Sequence, residues 1–325
     1  MSKLRHLLII GILTFVFVSA CGGNAPRQPS SQVDNSSTEA VRVVKHAFGE
    51  TKISMNPQRV VVLATGLDTV LSLGVNPVGS TQVPGKYFRG YDYLNNRLGE
   101  IASVGHLDSP NLEVIAALEP DLILGAKAWD SQNNYNLLSQ IAPTVIAEVE
   151  TSGEWERMLN KYAEALGKTD KAEQILADYH ARIEEFQAQM GDRLKQTEVS
   201  IVRVLQDGLN IYLEDSSCGA IVADAGLPRP PYQTNPQNSF SMEIGKESLY
   251  KIDGDVIFAW TFASDQEMAN EAQSALKQLK ADPLWLKLNA VQQDEVYEVP
   301  NYWINMGPIA ANLVLDDLFK YLVEE

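Results

Sequence analysis

Asp170-Lys-Ala-Glu-Gln-Ile-Leu-Ala-Asp-Tyr-His-Ala-Arg-Ile-Glu-Glu-Phe-Gln-Ala-Gln-Met190 is the stretch on which the architecture turns. Its apolar residues Ala172, Ile175, Leu176, Tyr179, Ile183, Phe186 and Met190 recur at three- and four-residue steps, the period of a helix with one buried stripe. Neither Pro nor Gly interrupts it before Gly191, and Asp170 with Glu173 three residues on supplies an N-cap pattern. About 21 residues at ~1.5 Å each make a rod of roughly 30 Å, long enough to span a domain. On either side, short β-branched runs alternate with amphipathic pieces. Residues 153–194 therefore read as a helical segment whose long helix connects two α/β lobes, residues 41–152 and 195–325. The pattern alone also admits a crossover helix inside one large sheet.

Outward from the helix, the first lobe opens with a strand near Val41 to Phe48, followed by Arg59-Val-Val-Val-Leu-Ala64, an apolar run of the kind found in strands buried on both faces of a parallel sheet. Gly66 to Leu73 reads as a short helix ended by Gly74, and Pro77-Val-Gly-Ser80 begins the next strand, a compact βαβ unit. Strand Asp121 to Leu124, helix Asn136 to Ile141 and strand Thr144 to Ala147 continue it. The second lobe repeats the alternation with strand Val199 to Leu205, helix Ala220 to Ala225, strand Asp255 to Ala259, helix Glu267 to Leu279, strand Glu295 to Val299 and a closing helix Ile309 to Val323. The fold class is α/β with largely parallel sheets.

The amino-terminal end reads differently. Lys3 and Arg5 precede the apolar run Leu7 to Val18, whose length of about 12 residues falls short of the ~20 needed to cross a membrane, so residues 1–20 read as a signal peptide. Val18-Ser-Ala-Cys21 resembles the bacterial lipobox, which implies that Cys21 is lipidated and holds an exported protein on the membrane, facing the periplasm or exterior. Residues 21–40, rich in Ser, Pro, Asn, Gln and Gly, form a flexible tether. With Cys21 modified, Cys218 is left alone and no disulfide framework exists. The net charge of -16 argues against nucleic-acid binding, which needs clustered Lys and Arg.

In open α/β sheets, ligands sit outside the carboxyl ends of the strands, which directs attention to the residues just after each strand. These include Lys86, Arg89, Lys127 and Trp129 in the first lobe and Trp260, Tyr302 and Trp303 in the second. Cations and large rings together suit a bulky, oxygen-rich, anionic ligand with apolar faces. Arg203 lies inside the apolar strand Val199 to Leu205, so its guanidinium needs a partner, either a structural carboxylate or the ligand.

Met55-Asn-Pro-Gln-Arg-Val-Val-Val-Leu63, Leu71-Ser-Leu-Gly-Val-Asn-Pro-Val-Gly79, Val104-Gly105 and Ser109-Pro-Asn-Leu-Glu-Val-Ile-Ala-Ala-Leu-Glu-Pro-Asp-Leu-Ile-Leu124 together resemble the iron-siderophore family of solute-binding proteins, class III. Gly219 to Pro230 and Trp285-Leu-Lys-Leu-Asn-Ala-Val-Gln-Gln-Asp-Glu-Val-Tyr297 extend the likeness over nearly the whole chain after the tether. The resemblance implies two Rossmann-like lobes joined by a single long backbone helix, a ferric siderophore in the cleft between them, and delivery by a monomer to the permease of an ABC transporter for iron uptake. It implies that one Glu per lobe docks the permease: Glu113, helped by Ser109 as a helix cap, and Glu247, with Glu243 a rival. Arg203, Ile211-Tyr212, Cys218-Gly-Ala220 and Gly226-Leu-Pro-Arg-Pro230 resemble the branch handling hydroxamate or citrate-hydroxamate chelates.

Haem or a cobalamin-like corrinoid is the alternative ligand, with Tyr302 or Tyr87 offered to haem iron. His46, His106 and His180 fall on a strand, a loop and the connecting helix, a poor set for direct metal binding, and no resident cofactor is implied. An exported enzyme is the distant alternative. The chain has no Gly-x-Ser-x-Gly elbow, no phosphate loop of the Gly-Lys-Ser/Thr kind and no His-Glu-x-x-His helix, so an enzyme is not expected.

Overall fold

The central strands of the first sheet form where apolar runs are covered on both sides. The computed structural model describes residues 40–81, 89–206, 208–234, 239–261 and 266–324. The expected signal peptide, the lipid site Cys21, the tether before residue 40, Lys86 and Tyr87 lie outside the described residues. The chain opens with an antiparallel hairpin of β1 (Val41–His46) and β2 (Gly49–Ser54), where a single strand was expected. Next come β3 (Val60–Val62), α1 (Leu67–Ser72), β4 (Gly79–Ser80), β5 (Ala102–Ser103), β6 (Gly105–His106), β7 (Ser109–Pro110), α2 (Leu112–Ala117), β8 (Leu122–Ala126), α3 (Gln132–Leu138) and β9 (Thr144–Ala147). Five of these strands make a parallel sheet in the order β5-β4-β3-β8-β9. Every residue of β3, β8 and β9 is buried, the double covering that the uninterrupted apolar runs predict.

Two helices follow in tandem, α4 (Trp155–Leu166) and α5 (Thr169–Met190). Gly167, at φ 66, closes α4 in the left-handed conformation, and the Lys168 amide donates back to the Ala163 carbonyl at 2.8 Å. This tight junction corrects the expected cap. Lys168 occupies the N-cap position of α5 without a side-chain bond, and Asp170 sits inside the first turn, where its charge complements the helix dipole. Ala172, Tyr179, Ile183, Phe186 and Met190 form the buried stripe.

Beyond α5 lie β10 (Val199–Val204), β11 (Leu209–Tyr212), α6 (Ser217–Asp224), β12 (Ser241–Ile244), β13 (Val256–Thr261), α7 (Gln266–Lys280), α8 (Asn289–Gln292), β14 (Val296–Glu298) and α9 (Pro308–Leu322). The second sheet runs β12-β11-β10-β13-β14. Pairs β10-β13 and β13-β14 are parallel, whereas β10-β11 and β11-β12 are antiparallel, so this sheet is mixed and carries more antiparallel pairing than the first. Helices α3 and α6 begin earlier than anticipated because Ser131 and Ser216 cap them, accepting from the Asn134 and Gly219 amides at 3.2 and 3.1 Å.

One core spans both sheets. Val60, Val62, Leu122 and Leu124 of the first sheet join Val199, Ile201, Phe258 and Trp260 of the second through Tyr179, Phe186, Val314, Leu315 and Leu318. Helix α9 packs on α1, α4, α5 and α6, so it ties the two halves together alongside α5. Two smaller cores cover the outer faces, one under α2 and α3 and one under α7. Among the described residues no helix is long and apolar enough to cross a membrane.

Candidate functional site

A cavity of about 690 Å³ opens between the two sheets. From the first half its wall takes Thr65 and Thr81 after β3 and β4, Tyr91, His106 to Asp108, Trp129 after β8, and Glu150 to Ser152 after β9. From the second half it takes Ser239, Phe240 and Ile304 to Met306. The first sheet thus obeys the strand-end rule. Just before Thr65, Ala64 holds φ 51, a left-handed conformation that a non-glycine residue rarely adopts. The two halves touch within the site: the Thr65 hydroxyl lies 3.4 Å from the Met306 sulfur. Phe240 is 46% exposed, a large ring open to the cavity mouth, and its edge meets Tyr212 at 5.7 Å.

The expected residues are distributed unevenly around this space. Trp129 is half-buried and forms part of the wall. The Lys127 ammonium pairs with Glu150, itself a wall residue. Arg89 begins a 3-10 helix, Arg89–Arg97. Arg203 is half-buried on β10, in register with Trp260 on β13, and its charge reaches the Tyr212 phenol. Burial pushes that phenol up to about 12, while the Arg203 charge pulls it the other way.

Trp260, Tyr302 and Trp303 lie together beneath the cleft as an aromatic layer and do not line the larger cavity. Trp303 is fully buried, stacked on Phe258 at 4.6 Å, and its Nε1 donates to Asp317 Oδ2 at 2.7 Å. The Tyr302 hydroxyl donates to the same oxygen at 2.8 Å, and burial and that carboxylate push its pKa up. Trp260 is 3% exposed, with its ring 4.8 Å from Tyr212 and 6.4 Å from Trp303. It also borders a smaller cavity of about 350 Å³ shared with Thr261, Gln273, Glu298 and Asn301. Residues following β14 were the right region, but the 3-10 turn Asn301–Ile304 rotates its members by a third of a circle each. Tyr302 and Trp303 turn inward and Asn305 and Met306 reach the cavity.

Phe240 precedes a strand, so the strand-end rule does not select it. Tyr91, His106 and Asp108 sit in a 3-10 helix and two-residue strands, where no periodic signal exists. Glu113 is exposed in the first turn of α2, whose cap is Asn111, accepting from the Val114 amide at 3.1 Å. Ser109, the expected cap, is instead paired in β7 against β6. Glu247 is exposed in the first turn of the 3-10 helix Lys246–Ile252, with its carboxylate folded over Gly245, where a Cβ would lie 2.5 Å from either oxygen. Glu243 is exposed on β12. Among the described residues no cluster of His, Cys, Asp and Glu could hold a metal ion. Cys218 is fully buried, and its thiol is pushed up to about 11 by burial, a poor nucleophile.

The family described as "Periplasmic binding protein" matches residues 60–302. The Bacillus subtilis protein named "Probable siderophore-binding lipoprotein YfiY" is 36% identical over 337 residues, covering 100% of this chain and 99% of that protein. The "Fe(3+)-citrate-binding protein YfmC" of the same organism is 30% identical over 304 residues, covering 91% of this chain and 89% of that one. Among solved structures, Staphylococcus aureus SirA complexed with staphyloferrin B aligns with a TM-score of 0.76 at 29% identity, over 86% of this chain and 98% of that chain.

Proposed function

The chain belongs to the periplasmic binding protein family, and from that premise we propose that it binds a ferric siderophore in the inter-sheet cleft and hands it to the permease of an ABC importer. The observation that carries the reading is the cavity itself: about 690 Å³, walled by Trp129, Tyr91 and Phe240 and by the hydroxyls of Thr65, Thr81, Thr151 and Ser152. Volumes of roughly 300 to 1,000 Å³ with aromatic walls and a few polar groups suit a compact organic ligand. A ferric chelate presents oxygen-rich edges to hydroxyls and apolar backbone faces to rings. Hydroxamate or citrate-hydroxamate chelates are the favoured class, with Arg203 supplying positive charge toward carboxylate or hydroxamate oxygens.

The protein acts by binding and release, not by catalysis. Cys21 carries the lipid that anchors it to a membrane, facing the periplasm or exterior, and Glu113 and Glu247 present the two carboxylates that meet permease arginines. Tryptophan fluorescence of the purified protein, titrated with ferric citrate, a ferric citrate dihydroxamate, a ferric trihydroxamate, a ferric tricatecholate and haem, tests the reading. Iron seated beside Trp129 quenches its emission, and Trp129→Phe removes most of that response. If haem alone quenches, His106 or Tyr91 in the wall becomes the iron ligand and the siderophore reading is lost.

A further inference from the structure

Asp68 is a fully buried carboxylate on α1, and its partners come from the far end of the chain. Its Oδ1 accepts the Ile309 amide and its Oδ2 the Ala310 amide, each at 2.9 Å, so it caps α9 across 241 and 242 residues of sequence. The Tyr93 hydroxyl donates to Oδ2 at 2.7 Å. The Asn305 side chain in turn hydrogen-bonds the Tyr93 phenol, and Asn305 is a cavity wall residue. The Tyr93 ring stacks on Tyr91, another wall residue, at 6.0 Å and meets Tyr302 edge-on at 6.1 Å. Gly307 completes the fit: at φ 137 it passes so close that a Cβ would lie 2.4 Å from Asp68 Oδ1.

A helix cap by itself needs one acceptor near one helix. Here one carboxylate joins the first half of the chain to the start of α9 and, through one phenol, to the Ile304 to Met306 wall. We propose that Asp68 is a positioning residue for ligand binding, which sets the spacing of the two halves of the cleft without touching the ligand. The ligand part rests on the reading of the cavity as a chelate site, while the spacing part stands apart from it.

The charge state gives the latch a readable signature. Burial raises the Asp68 carboxyl to about 6, against the opposing effects of Tyr93, the Ile309 and Ala310 amides and the Arg97 charge. The titratable groups around it are Tyr93, Tyr91 and Arg97 from the 3-10 helix, Tyr302 from the turn before α9, and Tyr162 of α4 behind Gly66. Opening the latch would solvate Asp68 and return it toward its ordinary range. Protonation therefore favours the latched state, and ionisation favours loosening.

The experiment places nitroxide labels on Ser139→Cys and Lys277→Cys, exposed positions on α3 and α7 sides of the molecule, in the full mature chain. A control lacking the two added thiols sets the background, and Cys218 is buried from the reagent. The inter-label distance distribution should narrow as pH falls from about 7.5 to 5, broaden at all pH in Asp68→Ala, which removes both acceptor oxygens, and keep no pH response there. Tyr93→Phe, a mild change, should retain the fold and shift the response to higher pH, because it removes a bond that favours the ionised form. With whichever chelate of the panel binds, both variants should release it about fivefold or more faster with little change in association rate. Unchanged distances and release rates beside a lowered Tm would reduce Asp68 to a plain helix cap and overturn the proposal. If no chelate binds the unmodified protein, the siderophore reading fails while the distances still decide the role of Asp68.

Discussion

Asp317→Ala isolates the aromatic layer beneath the cleft. Oδ2 of Asp317 accepts from both Trp303 Nε1 at 2.7 Å and the Tyr302 hydroxyl at 2.8 Å, and Trp303 has no solvent exposure. Truncation leaves a fully buried indole N–H without an acceptor, which costs about 1–3 kcal/mol. The half-buried Tyr302 hydroxyl reaches water more easily and adds roughly 0.5–1 kcal/mol. Against this stands the carboxylate's own burial, which raises its pKa and makes the ionised form a cost to the fold at neutral pH. The net expectation is a loss of about 1.5–3 kcal/mol. Asp317→Asn keeps an acceptor and should lose less than half of that. Urea unfolding followed by tryptophan emission gives the stability, and chelate titration of the folded variant gives the affinity. A stability loss below about 0.5 kcal/mol would refute the accounting. Affinity that collapses while stability holds would place Trp303 in ligand contact and not in the core.

Arg203→Ala should weaken binding of an anionic ferric chelate by about 1.5–3 kcal/mol, tenfold to hundredfold, with Tm nearly unchanged; the reverse pattern in calorimetry and titration makes it a structural ion pair. Replacing Glu113 or Glu247 with Ala should cut uptake of labelled iron by cells and leave the purified protein's chelate affinity intact, and normal uptake by the double variant would shift attention to Glu243. Asp130, buried and raised to about 6 with its Oδ2 on the Ala126 amide, contributes stability that is present below its ordinary pKa of 3.8 and lost as pH rises through 6. Asp130→Asn should therefore gain stability relative to the unmodified protein that grows from about 0.5 kcal/mol at pH 4 to about 3 kcal/mol at pH 7, read from urea midpoints. Cys218 should resist a thiol reagent at pH 8 until urea unfolds the chain, and rapid labelling of the native protein would contradict its burial.

The parts of the fold legible in the sequence are those in which one physical constraint repeats. Helix α5 keeps its stripe for six turns, and the strands β3, β8 and β9 are apolar throughout because both faces are covered. Strand direction in the second sheet was not legible. Whether β11 and β12 run with or against β10 depends on which edge each one meets, and composition does not encode that. In the site, Trp129 is found by the strand-end rule, and the same rule selects Tyr302 and Trp303, which the 3-10 turn sends into the core. Phe240, His106, Asp108 and Asn305 come from segments without periodicity, so only the folded chain brings them together. Nothing in the sequence around Asp68 signals its role, because its amide partners lie 241 and 242 residues away.

The packing of α9 also dictates the order in which the molecule can become complete. Residues 308–322 fill the core against α1 and α4, elements made by about the midpoint of synthesis. Until they arrive, Leu67, Val70 and Tyr162 lack part of their covering, and Asp68 has no amides to accept. Folding from the amino terminus as the chain emerges, the usual course for a separable domain, stalls short of the native state here. Helix α9 is therefore the element on which completion of the core waits.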